Sequence, residues 1–160
     1  MDDILIIRQP KNDLEYQKIN ELALKNNFKD RNKLKNSEKD DFYSSKGRVN
    51  HFIALVNGNI IGYARLLITE IKQGILDQIF FENERYIRNL IHLLGHIEWF
   101  LLSSGIAKIN VIIRNDYVDI LKRLNYQKTR GDEALINQDK VIMMSKTLSL
   151  PKETQTNFKF

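Results

Sequence analysis

The dipeptide Asn57-Gly58 constrains what this chain can fold into more than any other feature of its sequence. It separates two runs rich in β-branched and aromatic residues, His51 to Val56 and Ile60 to Thr69. An Asn-Gly pair tolerates the positive φ angles that a tight turn between antiparallel strands demands. The segment is therefore predicted to be a hairpin, and the architecture must be a sheet built outward from it.

Periodicity supplies the rest of the outline. Ile4 to Arg8 is a short apolar run ended by Pro10, and behind Asp13 the residues Leu14, Ile19, Leu22 and Leu24 fall close to helical spacing, so strand then helix is expected. Residues 27–48 are polar, with Phe28, Leu34, Phe42 and Tyr43 as sparse anchors, and are expected to form a loop or short helix. Gly74 to Phe81 is a further β-like run. Beyond Glu82 to Arg85, the residues Leu90, Leu93, Leu94, Ile97 and Leu101 mark the buried stripe of a helix stopped by Ser103-Ser104-Gly105. Lys108 to Ile113 reads as a strand and Asp116 as the cap of a short helix through Leu124. Tyr126 to Thr129 and Val141 to Lys146 read as two closing strands around a polar loop. Parallel strands need a crossover, so the strands at 75–81 and 108–113 are expected to run parallel on either side of the helix at 88–104. The implied class is α/β (α+β): a mixed, mostly antiparallel central sheet flanked by helices. A single domain is expected over 1–150, with 151–160 as a tail.

Composition narrows the chemistry. At 160 residues the chain has room for one core and not two. It has no cysteine, so disulfides, thiolate metal sites and a cysteine nucleophile are excluded. Two acids stand at the start of the sequence where a signal peptide carries basic residues, and no apolar stretch is long enough for a bilayer, so a cytoplasmic protein without a membrane partner is expected. A net charge of +5 suits phosphate groups on a cofactor or on nucleic acid. The basic cluster Lys29 to Arg48 is interleaved with Asp30, Glu38, Asp40 and Asp41, which fits a solvated mixed-charge surface, and nucleic acid is not the expected partner.

The order of elements, together with three stretches, resembles the GNAT superfamily of N-acetyltransferases. HFIALVNGNIIGYARLLI is similar to that family's central hairpin, with Ile61-Gly62-Tyr63 as its apolar-Gly-apolar step. INVIIRN is similar to its later strand ending in Asn, and ILKRLNYQK to its short helix, with Asn125 and Tyr126 in place of a Gly and an aromatic residue. The resemblance covers roughly residues 4–148 and implies acetyl-coenzyme A as acyl donor, an amine-bearing small molecule or protein as acceptor, and a monomer or homodimer. It also implies that the cofactor lies along Ile79, Phe80 and Phe81, against Arg85, Tyr86, Ile87, Arg88, Asn89 and Leu90, and near Asn115.

Two departures from the family pattern stand out. Arg88 and Leu90 occupy positions where that family carries small residues in its pyrophosphate loop. Arg88 either pairs with phosphate itself or is an exposed first-turn arginine. The position of the family's thiolate-protonating tyrosine falls on Leu121 or Lys122, leaving Tyr117 and Tyr126 as substitutes or as core residues.

Acyl transfer to an amine needs a proton acceptor. Asp77 interrupts the apolar run of the strand beside the implied acyl site, and Glu82 ends it. Asp77 reads equally well as an inter-strand polar group. Backbone N–H groups near Ile79 to Phe81 would meet the oxyanion if the strand splays there. His92 and His96 share a helix face, but without the Glu of a zinc motif they read as flanking residues, and His51 has no evident partner. Three readings follow: an active N-acyltransferase, a degenerate relative that binds coenzyme A or a macromolecule without catalysis, and a basic nucleic-acid module.

Overall fold

The computed structural model describes residues 3–26, 47–136 and 139–149, with the backbone alone at 47, 130–136 and 139–141. The expectations for 27–46 and for the tail from Pro151 onward lie outside the described residues. Chain order is β1 (Leu5–Arg8), α1 (Asp13–Lys25), β2 (Gly47–Val56), β3 (Asn59–Thr69), β4 (Gly74–Phe81), a 3-10 turn (Glu84–Asn89), α2 (Leu90–Ser103), β5 (Lys108–Arg114), a 3-10 turn (Asn115–Tyr117), α3 (Val118–Arg123), β6 (Gln127–Ile136) and β7 (Asp139–Thr147). The strands form one seven-stranded sheet in the order β1-β2-β3-β4-β5-β7-β6, antiparallel except for β4 against β5.

The hairpin forms where Asn57-Gly58 predicts it. Val56 pairs with Asn59, and Asn57 and Gly58 have φ of 51° and 84°, the two positive values of a type I′ turn. In α1, Asn12 rather than Asp13 is the cap, its side chain accepting from the Glu15 amide at 2.9 Å. Glu15 in turn binds Arg8 through both carboxylate oxygens, at 2.9 and 2.6 Å, which ties β1 to α1. That pair holds the Glu15 carboxyl down at about 2.

In α2 the predicted stripe Leu90, Leu93, Leu94, Ile97 and Leu101 is buried. Each such side chain contributes on the order of 1.5–3 kcal/mol by leaving water. The helix ends with Gly105 at φ 77° while the Ile106 amide donates back to Leu101. Asn125 does the same for α3, with φ 71° and the Tyr126 amide donating to Leu121, so Asn takes the left-handed position that glycine usually fills. Asp116 does not cap α3: it lies in the 3-10 turn, and neither helical piece there has a side-chain cap. The closing strands β6 and β7 are longer than their apolar runs, because backbone pairing continues through the polar residues between them.

Strand alternation divides the core. Phe52, Ala54, Leu66, Leu76, Ile79 and Phe81 join α2 and α3 on one face of the sheet. Ile53, Leu55, Tyr63 and Phe80 join Ile19, Leu22 and Ala23 of α1 on the other. Gly62 pairs with Phe81, and a Cβ there would stand 2.7 Å from the Phe81 ring. Gly62→Ala is expected to cost about 1–3 kcal/mol in urea denaturation, because Phe81 is buried and has little room to yield. An unchanged midpoint would mean that β3 and β4 part more easily than this contact implies.

Candidate cofactor cleft and its acceptor face

The site begins where β4 leaves β5. Their parallel pairing runs only from Gly74–Ile109 to Leu76–Val111. At the next residue the β3–β4 register shifts: Leu66 pairs with Leu76 but Arg65 with Gln78, so Asp77 is the extra residue of a β-bulge. A bulge bends its strand and sharpens the twist. From Gln78 to Phe81, β4 therefore pairs with β3 alone, while β5 continues to Arg114 paired with β7. A cleft opens between them.

Backbone direction follows from one hydrogen bond. The Glu82 amide donates to Ile61 of β3 at 2.8 Å. Amide direction alternates along a strand, so the N–H groups of Ile79 and Phe81 point the other way, into the cleft. Their side chains pack toward α2 and that of Phe80 toward α1. At the cleft end the Asn26 side-chain amide donates to the Phe81 carbonyl at 3.1 Å and to the Leu22 carbonyl at 2.9 Å, which fixes the end of α1 against β4.

The segment after β4 is not an open loop. Asn83 accepts from the Arg85 amide, the Tyr86 amide donates to the Asn83 carbonyl, and the Leu90 amide donates to Ile87. The 3-10 turn thus consumes amides that would otherwise meet a phosphate. Leu90 does not crowd the approach, since its side chain is fully buried in the core. Ile87 is half-buried against the same core and Asn89 is half-buried, whereas Arg85 and Arg88 are exposed. Arg85 lies over the Tyr86 ring, 4.6 Å from its centre, and donates to its hydroxyl at 2.5 Å. A cavity of about 640 Å³ between α1 and the hairpin turn is lined by Glu82, Arg85 and Tyr86 on one side and by Lys18 and Lys25 on the other.

Across the cleft, Asn115 is exposed at the end of β5 and Tyr117 is buried behind it. Burial raises the Tyr117 pKa, with nearby Arg114 opposing and Asp116 and Glu84 adding to the rise, so its hydroxyl stays protonated at neutral pH. Tyr126 is committed elsewhere: its hydroxyl donates to Glu98 at 2.9 Å while Lys146 donates to the other Glu98 oxygen at 3.0 Å. His96 sets its ring edge-on to Phe52 at 5.7 Å, beside the buried stripe of α2.

The α1 face beside the cleft carries Asp77 and His51, which the sequence singles out, together with Arg65 and Gln78, which it does not. Asp77 is gripped by Arg65, Nε to Oδ1 at 2.9 Å and Nη2 to Oδ2 at 2.5 Å, and Arg65 pairs in register with His51 on β2 and Gln78 on β4. His51 Nδ1 lies 2.6 Å from the Tyr63 hydroxyl. Burial, then Arg65, lowers the His51 pKa to about 4, with Asp77 partly opposing. A signal was present in the sequence. His51, Arg65 and Asp77 are polar residues within three consecutive, largely apolar strands, but nothing local says that they line up.

These elements and this cleft define the fold of the GNAT N-acetyltransferases, and the chain has that fold. A putative acetyltransferase of the GNAT family from Desulfovibrio desulfuricans superimposes with a TM-score of 0.72 at 12% identity, over 91% of this chain and 100% of its own. The PaiA N-acetyltransferase from Thermoplasma acidophilum, solved with coenzyme A, gives 0.68 at 14% identity, over 90% and 99%. The ribosomal-protein-S18-alanine N-acetyltransferase from Escherichia coli gives 0.63 at 15% identity, over 98% and 100%. No protein-family model and no curated protein matches the sequence. Among the described residues no helix is long and apolar enough to cross a membrane.

Proposed function

We propose that this protein is an N-acyltransferase that moves an acyl group, with acetyl-coenzyme A as donor, onto an amine by direct attack. The observation that carries this reading is the departure of β4 from β5 at Asp77, which turns the Ile79 and Phe81 amides into a cleft. Such an unpaired strand edge suits an extended, amide-bearing chain, which is the chemistry of the pantetheine arm. The residues present fit the cofactor: the β4 edge for the arm, and Arg85 and Arg88 for its phosphates. The donor supplies the thioester. The cleft amides polarise its carbonyl, Asp77 or Glu82 takes the proton of the amine, and Tyr117 returns a proton to sulfur.

The 3-10 turn at Glu84–Asn89 favours a second reading, binding without transfer, because it removes the amide cradle and leaves phosphate recognition to arginine. The test has two stages. Acetyl-coenzyme A is expected to raise the melting temperature, since a ligand at about 100 times its Kd adds about 2.7 kcal/mol to the folded state. Thiol release with a panel of amines then separates transfer from binding. No thermal shift would remove both readings.

Two expectations attach to this site. Arg88→Ala should weaken coenzyme A binding by calorimetry more than Lys122→Ala, and equal affinity for both variants and the wild type would take Arg88 out of the site. Tyr117→Phe should lower turnover while Tyr126→Phe should not. Tyr126→Phe instead loses a bond to a charged acceptor, worth about 1.5–3 kcal/mol of stability. The reverse pattern would exchange the two roles.

A further inference from the structure

Gln78 is 3% exposed, and its Oε1 has no hydrogen-bond partner among the described residues. Buried amide oxygens without a donor are costly to keep, and one in a folded protein calls for an explanation. Its position offers one. Gln78 immediately follows the bulge, two residues beyond the last β4–β5 pair, where the cleft begins. Phe80, two residues further along the strand, packs toward α1, so Gln78 faces that side as well. It closes the polar row His51–Arg65–Gln78 that crosses three neighbouring strands and ends at the cleft, with Asp77 beside it.

We propose that Gln78 Oε1 is the acceptor-positioning group of the site, receiving an N–H from a primary amine bound on the α1 side of the β4–β5 cleft. This rests on the acyl-transfer reading and adds to it the residue that positions the amine. A neutral primary amine has two N–H groups and one lone pair. With one N–H held by Gln78, the lone pair is free to turn toward the thioester carbonyl. The new C–N bond forms from that lone pair and the C–S bond breaks with its electrons going to sulfur. The second N–H proton leaves to a carboxylate or water, and sulfur takes up one proton. A secondary amine can give its only N–H to Gln78 while it binds, but must surrender that proton once the C–N bond forms, so it loses the contact during transfer. Primary amines are therefore preferred over their N-methyl counterparts.

The test uses the full chain with coenzyme A bound and titrates n-butylamine, benzylamine and lysine amide by calorimetry; with acetyl-coenzyme A in its place, thiol release is followed for each amine and its N-methyl form. Wild type is expected to bind at least one primary amine and, with acetyl-coenzyme A, to release thiol at least tenfold faster with it than with the N-methyl form. Gln78→Met keeps the length of the side chain but loses the acceptor, and should weaken that binding at least tenfold while leaving coenzyme A affinity unchanged. Because it also removes an orphaned oxygen, Gln78→Met should melt about 2–4 °C higher than wild type. Gln78→Glu retains an acceptor and should retain binding. Three results overturn the inference: no amine bound by wild type, equal amine binding by Gln78→Met, or a lower melting temperature for that variant. Amine binding without thiol release would uphold it and overturn acyl transfer instead.

Discussion

Asp77→Asn will lower stability by about 2–3 kcal/mol and slow thiol release at least tenfold, the latter about 1.4 kcal/mol in the barrier. The stability loss comes from Arg65, whose side chain is only 12% exposed and which is paired with Asp77, itself 19% exposed. Removing one charge of such a pair leaves the other desolvated, and the remaining exposure places the cost at the low end of the usual range. Replacing both residues with apolar ones, Arg65→Met with Asp77→Leu, should restore most of the stability, since neither charge is then stranded. It should not restore turnover if Asp77 takes the amine proton. Urea denaturation of the four proteins gives the coupling, and thiol release below the melting range gives the chemistry. A stable Asp77→Asn would show that Arg65 relies on another anion. A destabilised variant with full turnover would make Asp77 structural and pass the proton to Glu82 or to water.

Stability will fall as pH drops from about 6.5 toward 4, and His51 is the cause. Its folded pKa, about 4, lies below the unfolded value of 6.5. Between those values the unfolded chain binds a proton that the folded one refuses, so the contribution of His51 is complete above the unfolded pKa and is lost on acidification. A gap of that size corresponds to roughly 3 kcal/mol. The groups facing the ring explain the shift. Burial dominates, Arg65 adds repulsion, Asp77 partly offsets it, the Tyr63 hydroxyl is within hydrogen-bond reach, and Tyr16 approaches edge-on at 5.6 Å. His51→Gln should flatten the profile between pH 6.5 and 4. The next decline should survive in that variant, because Glu15, lowered from 4.5 to about 2 by Arg8, loses its contribution only below its unfolded value. An unchanged slope in His51→Gln would mean that another group titrates in the upper window.

Much of the architecture was legible because it depends on neighbours in the chain. The Asn57-Gly58 turn, the stripe on α2, the left-handed stop at Gly105 and the crossover that forces β4 and β5 parallel are properties of a few adjacent residues or of one period. Even Asn125 in place of glycine was readable, since Asn is the other residue that accepts that backbone conformation at little cost. The site was legible only as a region. Asp77 stood out as an acid within an apolar run, but only the folded sheet makes it a bulge and gives it to Arg65, twelve residues away on the next strand. His51 meets Tyr63 at the same separation, and Tyr126 meets Glu98 across twenty-eight residues. The Arg85, Tyr86 and Leu90 amides were lost to a 3-10 turn, and Gln78, polar within the same run as Asp77, gave no sign that its oxygen would be left unpaired. Pairings of this kind are set by register between strands and by which face each residue inherits from it. A one-residue shift such as the bulge exchanges those faces, and no periodicity along a single strand records where that shift will fall.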